Sequence, residues 1–66
     1  MNATIEDLED AARDERDAIE KYLGLEAKET SAVMKRFWHG IAEQEMEHLQ
    51  AIEDLIGKTR AGGCVA

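Results

Sequence analysis

The 66-residue sequence has no proline and one cysteine, Cys64. Proline both lacks an amide donor and clashes with the preceding helical turn, so its absence leaves long helices free to form. A single cysteine excludes any disulfide within the chain. A lone thiol also accords with a reducing compartment. Aromatic residues are scarce, limited to Tyr22, Phe37 and Trp38. No apolar run approaches the roughly 20 residues of a membrane span. Basic residues number 8 against 15 acidic ones, for a net charge of −7. An acidic surface repels phosphates, which argues against nucleic acid and anionic membrane as partners and is compatible with attracting cations. The stretch Met1-Asn2-Ala3-Thr4-Ile5-Glu6-Asp7 has neither a basic region nor an apolar core, so it does not read as a secretory signal. These absences lead to the expectation of a soluble, cytoplasmic protein.

Length sets a further bound. A single small domain buries too little surface to be comfortably stable alone. Scaffolds of this size usually add disulfides, a metal or oligomerisation. With disulfides excluded, metal and oligomerisation remain.

Alanine and glutamate dominate the composition, which favours helix. Asn2 or Thr4 can cap a first helix, with Glu6 and Asp7 in its first turn beside the positive end of the dipole. The inward-facing candidates run Ile5, Leu8, Ala12, Glu15, Ile19, Tyr22 and Glu26. Alternating steps of three and four residues mark one face of a helix. Ala11, Ala18 and Leu23 widen that stripe. Gly24 interrupts it, but Leu25-Glu26-Ala27-Lys28 are good helix formers, so the first helix is expected over about 4–28. The turn is Glu29-Thr30-Ser31, with Thr30 or Ser31 capping the second helix.

The second stripe runs Met34, Phe37/Trp38, Ile41, Glu45, His48/Leu49, Ile52 and Leu55/Ile56. Gly57 is a natural stop, and Lys58 and Arg60 suit a helix C-terminus. The second helix is therefore expected over about 31–56. Residues 1–57 are expected to form a helical hairpin and 58–66 a flexible tail. The short connection makes the helices antiparallel. Two helices alone cannot cover both stripes, so the expected fold is all-α, a two-helix hairpin that dimerises into a four-helix bundle. Met34, Phe37 and Trp38, near the turn, are expected in the core or the dimer interface.

Three ionisable residues break the apolar pattern. Glu45 and His48 lie three apart, so they project from one helix face. Glu15 precedes Thr30 by as many positions as Glu45 follows it. In an antiparallel hairpin the two carboxylates are level, roughly 22 Å from the turn at about 1.5 Å per residue. A buried carboxylate without a partner is costly and tends to take up a proton. A two-fold dimer would collect four carboxylates and two imidazoles at its centre. Two divalent cations would neutralise them, and mixed oxygen and nitrogen donors suit iron or manganese and accept zinc. Four-helix bundles of the di-iron carboxylate type use one glutamate from each of two helices and Glu-x-x-His from each of the others.

Glu15-x-x-Ala18-x-x-x-Tyr22, followed by Glu43-x-Glu45-x-Glu47-His48, resembles the first half of a rubrerythrin-type, ferritin-like di-iron domain. The resemblance spans about residues 5–56. Full-length ferritin-like proteins carry two such hairpins. With one, the chain is similar to the half-ferritins, including the encapsulated ferritins, which rebuild the site by dimerisation. The resemblance implies Glu15 as a terminal ligand, Glu45 as a metal-bridging ligand and His48 as a terminal ligand, these three being the catalytic set. It implies Tyr22 as a residue whose hydroxyl bonds a ligand carboxylate. It further implies two Fe per dimer, with Mn or Zn also fitting, and oxidation of Fe(II) by oxygen or peroxide. A homodimer or higher homo-oligomer is the expected assembly. The Cys-x-x-Cys module of rubrerythrins is absent, and the tail carries no Gly/Leu-rich encapsulin-targeting peptide, so an encapsulin shell is a partner without sequence support. The competing reading is a non-catalytic helical dimerisation or adaptor module whose polar core sets register.

Off the stripe, Glu43 and Glu47 read as solvated, with cation steering as their alternative use. Glu26 reads as exposed at the bundle end and His39 as an ordinary surface histidine. Cys64, after Gly62-Gly63, reads as mobile, with redox or intermolecular disulfide chemistry as the alternative.

Overall fold

The computed structural model describes residues 4–62, and these form two helices, α1 (Ile5–Lys28) and α2 (Ala32–Arg60), joined by a three-residue turn. Thr4 caps α1. Its hydroxyl accepts from the Asp7 amide at 3.1 Å, and the Asp7 carboxylate accepts from the Thr4 amide at 3.0 Å. That reciprocal box satisfies two amides that a helix start leaves orphaned. Ser31 caps α2, its Oγ accepting from the Met34 amide at 3.3 Å. The alternative cap Asn2 and the cysteine Cys64 lie outside the described residues.

One boundary differs from expectation. The second helix does not stop at Gly57 but continues to Arg60, so Lys58, Thr59 and Arg60 are helical rather than tail. Glycine ends a helix by taking positive φ, and here that conformation falls at Gly62, with φ of 86°. The extra turn is held in place. Thr59 Oγ1 donates to the Leu55 carbonyl at 2.8 Å, and the Arg60 guanidinium reaches Glu9 on α1 at 2.6 Å.

The antiparallel pair measures 47 × 19 × 14 Å. Its contact line is built on small residues: Ala12 is 1% exposed and Ala42 is 0% exposed. Among the described residues Leu8 is the third buried one, and no large side chain is fully buried. The accessible surface is 4960 Å², against about 4,200 Å² expected for a compact monomer of this mass. The expected stripe of α1, Ile5 to Glu26, is buried or half-buried throughout. On α2 the aromatic and methionine residues divide. Trp38 is half-buried and stacks on Tyr22 with centroids 6.0 Å apart, whereas Phe37 is 53% exposed and Met34 is exposed as well.

At 3.6 residues per turn, part of each stripe falls on one side of the contact line, where Met34, Phe37 and His48 are exposed and the other residues are half-buried. Ala11, Ala18, Tyr22 and Leu25 line that side on α1. Met34, Phe37, Ile41, His48 and Leu55 line it on α2. The other side is charged. Arg60–Glu9 at 2.6 Å and Arg16–Glu53 at 3.7 Å close the helices there, around an open groove of about 450 Å³.

Candidate metal centre

Glu15 from α1 and Glu45 and His48 from α2 meet near the middle of the hairpin, with one donor atom from each lying within 4.8 Å of the others. His48 Nδ1 is 3.4 Å from Glu45 Oε1 and 3.9 Å from Glu15 Oε1. Local structure explains the meeting. The three-residue separation puts Glu45 and His48 on one face of α2. The turn at Glu29-Thr30-Ser31 sets Glu15 level with Glu45. The small side chains of Ala42, just short of Glu45, and Ala12, just short of Glu15, let the helices approach closely enough for short carboxylates to touch across the gap.

The carboxylates and the imidazole are unequally covered. Glu15 and Glu45 are 22% and 23% exposed, and His48 is 62% exposed. The cluster thus has a protein-covered floor and opens, through His48, onto the uncovered apolar side. Glu15 Oε2 is buried and has no hydrogen-bond partner. An orphaned carboxylate oxygen is costly unless a proton or a cation attends it. The Glu45 carboxyl, within hydrogen-bonding reach, pushes the Glu15 pKa above the ordinary carboxyl range. Partial burial and the Glu45 charge push the same way, and His48 opposes them.

Two oxygen ligands and one nitrogen ligand with an unsatisfied oxygen fit a divalent first-row metal such as iron, manganese or zinc. One chain offers three side chains, fewer than such ions take up, and the open side of the cluster leaves room for further donors.

Tyr22 stands two turns beyond Glu15 on the same stripe. It stacks on Trp38, and among the described residues its hydroxyl makes no hydrogen bond to Glu15 or Glu45. Two features were not foreseen. Ala42, the most buried of the described residues, lies outside the expected stripe because alanine gives little hydrophobic signal. His39, expected as an ordinary surface histidine, is exposed but sits between Glu26 and Glu43 at 3.0 and 3.4 Å. Glu26 correspondingly is half-buried rather than exposed. The four-residue spacing of His39 and Glu43, and the place of Glu26 on the apolar stripe, were the legible signals.

Comparison with family models, with curated proteins and with solved structures finds no match to this chain.

Proposed function

We propose that this chain is a ferritin-like di-iron protein that works as a homodimer. It binds two irons at the dimer interface and oxidises Fe(II) with oxygen or peroxide. The observation that carries this reading is the convergence of Glu15, Glu45 and His48 around an orphaned buried carboxylate oxygen. The uncovered apolar side supports the dimer. It runs along both helices, includes the exposed Phe37 and Met34, and has the cluster at its centre.

In the dimer, Glu15 and Glu45 of two chains bring four negative charges, which two divalent irons neutralise. Glu15 and His48 would each serve one metal and Glu45 would bridge, as the resemblance to ferritin-like domains implies. When bound, two Fe(II) ions would supply the two electrons that reduce a peroxide, with two protons, to two waters. The residues' part would be to hold the ions together. Carboxylates in this position would accommodate the change in metal charge by shifting their coordination. A dimer encloses no mineral cavity, so storage would require a larger shell or a partner compartment.

Anaerobic Fe(II) titration with native mass measurement tests this. About one metal per chain, taken up only by the dimer or a higher oligomer, is the expected result. Dimers that hold no Fe, Mn or Zn and gain no stability from Fe(II) would refute it. The same cluster would then be the polar core of a dimerisation module, with the 3.4 Å His48–Glu45 contact as an ion pair setting register.

A further inference from the structure

His39 lies on the edge of α2 opposite His48, near the turn. Its Nδ1 is 3.0 Å from Glu26 Oε1 on α1, and its Nε2 is 3.4 Å from Glu43 Oε1, one turn further along α2. We propose that His39 is a pH-dependent latch: the charged imidazolium, bridging Glu26 and Glu43, ties the turn end of the two helices together, and loss of its proton releases the tie.

The geometry distinguishes a latch from a chelate. Metal ligands must aim at one point, but these carboxylates lie against opposite nitrogens of the ring. It also selects a protonation state. A neutral imidazole has one N–H and one lone pair, so one of the two carboxylates would face a lone pair. The imidazolium presents an N–H to each, hydrogen-bonding Glu26 and facing Glu43 as an ion pair. In agreement, the Glu26 hydrogen bond and charge, aided by Glu43, hold His39 above the ordinary histidine range, with slight burial acting against them. Among the described residues, Glu26 from α1 and Glu43 from α2 are the charged groups in ion-pair contact with the ring. Lys35 and Arg36, one turn earlier on α2, pair with neither carboxylate, and Glu29 of the turn is folded back onto the Thr30 amide at 3.2 Å.

The latch has a local consequence. Trp38, the next residue along, stacks on Tyr22 of α1 and meets Phe37 edge-on at 5.1 Å. Release of His39 therefore loosens the one aromatic contact that spans the helices, at the turn end of the apolar side. The folded-state pKa is raised, so the latch contributes stability fully below the unfolded value of about 6.5 and loses it as pH rises through the folded value. The ring is half exposed, which screens the effect and keeps it local.

The test uses metal-free protein and does not depend on metal binding. The His39 imidazole proton signal is followed by NMR against pH in the wild type, Glu26→Gln and Glu43→Gln. The expected midpoint lies above about 6.5 and falls toward it in Glu26→Gln, with a smaller fall in Glu43→Gln. Melting of wild type against His39→Gln should show a difference near pH 6 that disappears near pH 9. Trp38 emission, the chain's single tryptophan signal, should shift over the same range in the wild type and not in His39→Gln. A midpoint at or below the ordinary value, or one that Glu26→Gln leaves in place, overturns the proposal. So does Zn(II) shifting the His39 signal in a Glu15→Ala/Glu45→Ala background, which would make the group a chelate.

Discussion

Ala42→Leu tests whether close helix approach is what assembles the cluster. Ala42 is 0% exposed, on the contact line between α1 and α2, so an isobutyl group has no space without separating the helices. Overpacking of this kind costs about 1–3 kcal/mol. At about 4–8 °C per kcal/mol for a domain of this size, the metal-free melting midpoint should fall by roughly 4–24 °C. Helix pairs range from about 8 to 10 Å apart according to the residues at the contact, so Glu15 should retreat from Glu45 and His48 by about 1–2 Å. Its donor now lies within 4.8 Å of theirs, and metal bonds need about 2.0–2.2 Å on each side. Mn(II) affinity, read by calorimetry, should fall about 10–100-fold, as when support for a ligand is lost. Ala27→Leu, at an exposed position on α1, is the control and should change neither. An Ala42→Leu protein that melts with the wild type and binds Mn(II) equally well would refute the argument.

Glu45→Ala should abolish paired-metal binding, measured as metal per dimer, yet raise the melting point of the metal-free protein by removing like charge beside Glu15; unchanged stoichiometry would refute the ligand assignment. Metal removal should destabilise the protein at neutral pH and matter less in acid. The raised Glu15 pKa means the folded metal-free state gains as pH falls through that value toward about 4.5, where its proton replaces the cation; chemical denaturation with and without chelator at several pH values reads this. Phe37→Ser should lower dimer affinity in sedimentation while leaving helix content by circular dichroism intact, because Phe37 is 53% exposed in the hairpin. Thr4→Ala removes the α1 capping box and should cost about 1 kcal/mol in denaturant titrations.

Much of the fold was legible from local chemistry. The α1 stripe, the turn at Glu29-Thr30-Ser31 and the Thr4 and Ser31 caps depend on neighbours within one or two turns, which sequence spacing encodes. The cluster was legible for the same reason: level positions follow from chain length to the turn, and direction follows from the helical period. The extension of α2 past Gly57 was not, because Arg60 is held by Glu9, a partner 51 positions away. Nor was the His39 bridge, since which side of α2 meets Glu26 depends on helix rotation.

By itself, the sequence determined that the chain is two antiparallel helices and that Glu15, Glu45 and His48 share a level and a face. Periodicity and turn position are properties of the chain, and rise per residue converts them into distance. Tertiary structure alone decided how closely the helices approach, through Ala12 and Ala42, and which part of each apolar stripe falls to one side of the contact line. Those depend on helix rotation and separation, which are set by the packing of all contacts together. They leave one oxygen of Glu15 buried without a partner and His48 at the open side of the hairpin.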